Sequence, residues 1–157
     1  MNSLIIYDSQ YGNTKEIANA IYKSVISSNK VKILRVDEVN LTDLEGIKLL
    51  IVGSPTQGGR PTQNLQMFLD EIPENSLKDV NIATFDTRFL EESQNFALKL
   101  LMKTIGYAAP KIADILKNKG GKLICSPQGF IVLKKKGPLA KGELEKAEAW
   151  VNKFSIN

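Results

Sequence analysis

Residues 3–21, "SLIIYDSQYGNTKEIANAI", run from an apolar segment through a polar turn directly into a helical pattern. Leu4, Ile5 and Ile6 follow one another without alternation, which is how a strand covered on both faces reads. Ile17, Ala18, Ile21, Tyr22 and Val25 recur at helical spacing. Between the two segments, Ser9, Gln10, Tyr11, Gly12, Asn13 and Thr14 bring backbone N–H groups, two hydroxyls and a helix N-terminus to one point. Such a turn can hold a dianion without any Lys or Arg, because unpaired N–H groups and aligned peptide dipoles already favour negative charge there. Asn13 and Thr14 are also ordinary helix-capping residues, so the loop taken alone serves equally as a plain connection.

Outward from this unit the same pattern repeats. "VKILRV" (31–36), "KLLIVG" (48–53), "VNIATFD" (80–86) and "KLICS" (122–126) are further short apolar runs. Helix-length segments separate them: 13–28, 61–72, one or two within 91–119, and 142–154. Strands alternating with helices require crossover connections, hence a parallel sheet with helices on both faces. Pro61 suits a first helical position, and "NKGGK" ends the helix before the fifth strand. Within 88–106, Phe96, Ala97, Leu100, Leu101, Thr104 and Ile105 form a stripe that predicts a helix from about 92 to 104 packed on the sheet, with a partner surface as the alternative. No linker or repeat divides residues 1–157, so the expectation is one doubly wound domain.

Composition removes several chemistries. The 157 residues include one cysteine, Cys125, and no histidine, which excludes thiol–imidazole catalysis, serine–histidine triads and zinc sites of the usual ligand types. Cys125 reads as an inert core residue of the fifth strand. The net charge is +4, but Lys and Arg are spread without aromatic interleaving or a nucleic-acid motif, so no nucleic-acid partner is expected. Runs such as "LLIVG" and "GFIVL" are too short to cross a bilayer, and no cleavable leader is evident. A cytoplasmic location is expected.

In an open parallel sheet, ligands bind outside the carboxyl ends of the strands. The loops there are "SQYGNT" after strand one, "SPTQGGRPTQ" after strand three and "DTRFLEE" after strand four. In the second, Gly58-Gly59 lets backbone approach a flat ligand; in the third, Asp86, Thr87, Arg88 and Phe89 offer hydrogen bonds and one aromatic face. A Walker loop is excluded, since Thr14-Lys15 runs in the wrong order, and a dinucleotide fingerprint is excluded by the presence of Gly12 alone. A phospho-acceptor receiver is disfavoured by Asp8 and Ser54 at the places where it wants an acidic cluster and an Asp.

These loops, with "GYAAPKIADILKNKGGKL" (106–123) and "GPLAKGELEKAEAWVNKF" (137–154), resemble the flavodoxin family over nearly the whole chain. The resemblance implies an α/β fold with a doubly wound, five-stranded parallel sheet in the order 2-1-3-4-5, and FMN as cofactor. It places Ser9, Gln10, Tyr11, Gly12, Asn13 and Thr14 around the phosphate. Pro55, Thr56, Gln57, Gly58 and Gly59 would run along the isoalloxazine, and Asp86, Thr87, Arg88 and Phe89 would close its other side. A carbonyl among Gln57, Gly58 and Gly59 is expected to bond the reduced ring. The second loop lacks the Trp that many members stack on the flavin, and Phe89 stands where a Tyr is common, which implies a more exposed ring. The function implied is electron transfer to a redox protein, by a monomer or weak dimer. An FMN-dependent NAD(P)H quinone or nitro-compound reductase and a flavin-free binding module are the alternatives. "LKKKGPLAKG" (133–142) reads as a solvated loop or as a docking patch for an acidic redox partner.

Overall fold

The computed structural model describes residues 2–26, 30–89, 96, 100 and 105–154. Its elements are β1 (Asn2–Tyr7), α1 (Asn13–Val25), β2 (Lys30–Arg35), β3 (Leu49–Pro55), α2 (Gln63–Glu71), β4 (Asn81–Phe89), α3 (Ala108–Asn118), β5 (Lys122–Leu123), β6 (Gln128–Val132) and α4 (Glu143–Val151). A short 3₁₀ turn, Leu41–Leu44, precedes β3. Every pairing in the sheet is parallel and the order is β2-β1-β3-β4-β5, as expected for a doubly wound sheet. The chain winds from β1 outward to β2 and then returns to β3, so the order reverses between β1 and β3.

The period of two along each strand sorts side chains into two cores. Leu4 and Ile6 of β1 with Leu50 and Val52 of β3 face α2 and α3, where Leu65, Leu69, Ile112 and Leu116 meet them. Ile5 and Tyr7 with Leu49 and Ile51 face α1 and α4, against Ile17, Ile21, Ala147 and Trp150. The same strand residues that read as an unbroken apolar run are thus shared between opposite layers. On the second face Trp150 meets Phe85, Phe130 and Phe154 edge-to-face, with ring centroids 6.3, 6.2 and 4.9 Å away. Such pairs add about 0.5–1.5 kcal/mol each beyond the area they bury.

Four local expectations change. The fifth strand is not one piece over 122–126: Lys122–Leu123 pairs with Asn81 and Ile82, and Gln128–Val132 pairs with Phe85–Phe89. Pro127, with no N–H to give a ladder, lies in the interruption, and Cys125 sits there too instead of in a strand. Asn13 and Thr14 do not cap α1; Gly12 does, at φ 95°, leaving those two as the first helical residues. Pro61 lies one residue ahead of the α2 cap, Thr62, whose hydroxyl accepts the Leu65 N–H. The helix expected over 92–104 falls mostly outside the described residues. Of its stripe, Phe96 and Leu100 are 83 % and 55 % exposed, so at those positions it does not pack on the sheet. The end of α3 follows expectation, with Gly120 N–H on Lys117 C=O and Gly121 N–H on Leu116 C=O, the paired bonds of a Schellman stop.

Candidate functional site

The loops after β1, β3 and β4 meet at the carboxyl edge of the sheet and bound a cleft of about 600 Å³. That is the size of an ordinary small-molecule site. One end is the turn into α1. There Ser9 Oγ accepts the Gly12 N–H at 3.1 Å and the Lys15 N–H at 3.4 Å. The first intrahelical bond is Glu16 N–H to Gly12 C=O, so the Asn13 and Thr14 N–H groups precede the ladder and have no partner within it. Beneath this turn Asp8 is buried, accepting the Ser9 N–H at 2.8 Å and the Thr62 hydroxyl at 2.6 Å.

The second loop is a two-residue hairpin. Gln57 and Arg60 exchange both backbone bonds, at 2.8 and 3.0 Å, across Gly58 and Gly59. Those glycines have φ of 55° and 77°, and a type I′ turn needs both central residues positive. Lys111 Nζ staples the turn from outside by donating to the Gly59 and Ile105 carbonyls at 2.6 and 2.8 Å. With the Gln57 and Gly59 carbonyls engaged, Gly58 C=O is the one of the three to which no described residue donates.

Below the third loop Asp86 is fully buried. Its carboxylate accepts Arg88 Nε at 2.7 Å, Arg88 Nη2 at 2.8 Å and the Ala109 N–H in the first turn of α3 at 2.9 Å. A buried charge is tolerable when it is bonded this completely. The Arg88 guanidinium lies 3.6 Å from the Tyr107 ring centroid, and a Cβ at Gly129 would come within 2.3 Å of its Cζ. Side-chain ties join the loops: Thr14 and Thr87 hydroxyls at 2.8 Å, Gln57 Nε2 to Gln10 Oε1 at 2.8 Å, and the Ala108 N–H to Thr56 Oγ1 at 3.0 Å.

Of the residues singled out in the sequence, Ser9, Gln10, Tyr11, Asn13, Thr14, Pro55, Thr56, Gln57, Gly58, Gly59, Thr87, Arg88 and Phe89 line this cleft. Gly12 and Asp86 do not; one caps α1 and the other anchors Arg88 from below. Tyr107, Val132 and Lys135 line it as well. Their signals were present but ambiguous: Tyr107 precedes a helix, Val132 lies within an apolar run, and Lys135 stands in a charge run. Tyr11, Phe89 and Tyr107 supply aromatic surface where the second loop has no Trp, while the single Trp150 is buried in the layer behind.

The donor set suits FMN. Hydroxyls and unladdered N–H groups sit at the end that would take a phosphate dianion, and a Gly-rich backbone faces aromatic side chains at the end that would take a flat ring. Among the described residues no His, Cys, Asp and Glu group could hold a metal ion, and no helix is long and apolar enough to cross a membrane.

The chain is similar to known proteins over most of its length. The sequence profile of the Flavodoxin family matches residues 5–150. A flavodoxin of Aquifex aeolicus is 32 % identical over 71 residues, a match spanning 44 % of this chain and 38 % of that protein's length. A flavodoxin structure from the domain Archaea superimposes with a TM-score of 0.77 at 20 % identity, covering 96 % of this chain and 94 % of the other. The oxidised Flavodoxin 1 of Bacillus cereus gives 0.75 at 17 % identity, with 100 % of both chains covered. These two establish the shared fold, and the profile match extends over nearly all of the sequence. The chain belongs to the flavodoxin family, whose members bind FMN.

Proposed function

We propose that this protein is an FMN-binding electron-transfer protein. It works as a single domain of residues 1–157 in the cytoplasm, as a monomer or weak dimer, and passes electrons to an acidic redox protein. The observation that carries the reading is the convergence of the three loops on one cleft with a polar phosphate end and a flat, partly aromatic end. FMN would supply the redox chemistry, exchanging one or two electrons.

The chain's part is to bind, orient and shield. Ser9, Gln10, Tyr11, Asn13 and Thr14 would hold the phosphate around the turn that Gly12 makes, with the α1 dipole favouring its charge. Pro55, Thr56, Gln57, Gly58 and Gly59 on one side, and Thr87, Arg88 and Phe89 on the other, would flank the ring; Asp86 acts through Arg88. Gly58 C=O, with no described donor, would accept a hydrogen bond from the ring when the ring carries an added proton. A net contribution of about 1 kcal/mol is expected from such a bond. The net charge of +4 and the exposed Lys134 and Lys141 favour an acidic partner by electrostatic steering.

The test is to titrate the apoprotein with FMN while following flavin fluorescence, then to reduce the complex and present it with acceptor proteins. Expected are stoichiometric quenching, faster electron delivery to an acidic acceptor than to a basic one with a rate that falls as salt rises, and no steady NAD(P)H oxidation with a quinone. Absence of quenching at micromolar FMN would overturn the cofactor reading; sustained NAD(P)H turnover would replace the carrier with a reductase.

A further inference from the structure

We infer that Lys135 is a phosphate-binding residue of this cleft, delivered to the cofactor by the loop that follows β6; the inference rests on the FMN reading above. The loop is tightly built. Val132 and Leu139 form an antiparallel bridge, Leu133 N–H bonds Pro138 C=O at 2.9 Å, and Gly137 N–H bonds Lys134 C=O at 2.9 Å. It is also fastened to the turn into α1. Asn13 Nδ2 donates to the Lys136 carbonyl at 3.2 Å, and a Cβ on Gly137 would sit 2.6 Å from Asn13 Oδ1. Only a residue without a side chain permits that approach, at a φ of +108° that also favours glycine.

The fastening separates three lysines that look alike in sequence. Lys135 lines the cleft together with Ser9, Asn13 and Thr14, whereas Lys134 does not. Lys136 is turned to the Tyr11 ring, with its Nζ 5.8 Å from the centroid. None of the three pairs with an acidic side chain among the described residues. Lys135 thus brings an uncompensated ammonium on a flexible stem to the end of the cleft that already presents Ser9 Oγ and the unladdered N–H groups of α1. Neutral donors alone can hold a dianion there; a cation beside them adds a charge-assisted bond and makes the binding depend on salt.

The experiment compares the wild type with Lys135→Gln, Lys135→Arg and Lys134→Gln by titrating each apoprotein with FMN and with riboflavin, which lacks the phosphate, at low and high salt. Lys135→Gln is expected to weaken FMN about tenfold, to leave riboflavin within about twofold, and to flatten the salt dependence of FMN binding. Lys135→Arg retains most of the affinity, and Lys134→Gln matches the wild type. Equal losses for FMN and riboflavin, or equal effects of Lys134→Gln and Lys135→Gln, would overturn the assignment. A wild type that binds FMN with Lys135→Gln indistinguishable from it would overturn the lysine's role alone, while a wild type that binds neither flavin would overturn the cofactor reading with it.

Discussion

The two adjacent glycines of the second loop are not equivalent. Both stand at positive φ, where an L side chain costs about 1–2 kcal/mol. A Cβ on Gly58 would meet nothing within 4 Å, whereas one on Gly59 would lie 2.1 Å from Ile105 Cγ2 and 3.1 Å from two backbone oxygens. Gly58→Ala is therefore expected to lower stability by about 1 kcal/mol and FMN affinity by no more than about threefold. Gly59→Ala must also displace Ile105, part of the support that Lys111 ties to the turn, and should lose about 2–3 kcal/mol and at least about tenfold in affinity. Urea unfolding and FMN titration of both variants check the ordering, and equal effects would contradict it. The Gly pair was legible in the sequence because a flexible doublet between polar residues marks a turn. Lys111 was not legible, since it lies 52 residues from the carbonyl it holds and nothing local announces the pairing.

At the scale of elements, Thr62 joins α2 to the floor of the cleft. Its hydroxyl caps the helix through Leu65 N–H and donates to buried Asp8, and its own N–H bonds Ser54 Oγ at 3.0 Å. Thr62→Ala removes the cap and leaves a buried carboxylate short of one donor, for an expected loss of about 2–3 kcal/mol. Thr62→Ser restores both bonds and should recover most of it; thermal and urea midpoints of the two variants decide, and a mild alanine variant would show that Asp8 finds another donor. The strand–loop–helix units could be read in advance because apolar runs and helical stripes are local patterns. Where neighbours decide, local reading fell short: Asn13 and Thr14 lie just inside α1, after the Gly12 cap, and bond the Lys136 carbonyl and the Thr87 hydroxyl. The second piece of the fifth strand, in "GFIVL", was hidden behind Pro127 because only pairing with β4 extends it.

Across the whole molecule, the alternation of strands and helices called for a parallel sheet whose carboxyl-end loops share one rim, so the first three walls of the cleft were legible together, while the strand order came from the family resemblance. The remaining wall, with Tyr107, Val132 and Lys135, comes from segments brought there by the late crossover, and their chemistry reads locally as core or surface. Global stability should bend at alkaline pH. Burial pushes the Cys125 thiol up to about 11 against an opposing hydrogen bond with Trp150, and burial, then the charge of Glu38, raises Tyr7 as well. Below about pH 8 the thiol is protonated in folded and unfolded chains alike. Between there and about 11 the unfolded chain releases that proton while the folded one keeps it, so stability falls as pH rises. Urea midpoints at pH 7.5 and 10.5 should differ in the wild type and differ less in Cys125→Ala; an unchanged difference would remove the thiol as a cause. The aromatic cluster behind β4 has a consequence of another kind. Trp150 is the chain's only indole, 4 % exposed and held by three phenyl rings, and it lies outside the cleft. Indole emission overlaps flavin absorption, so a filled cleft would dim Trp150 through space by resonance energy transfer, without contact. The protein thus carries its own donor lamp: its colour reports whether one helical layer is intact, and its brightness reports whether the cleft is occupied.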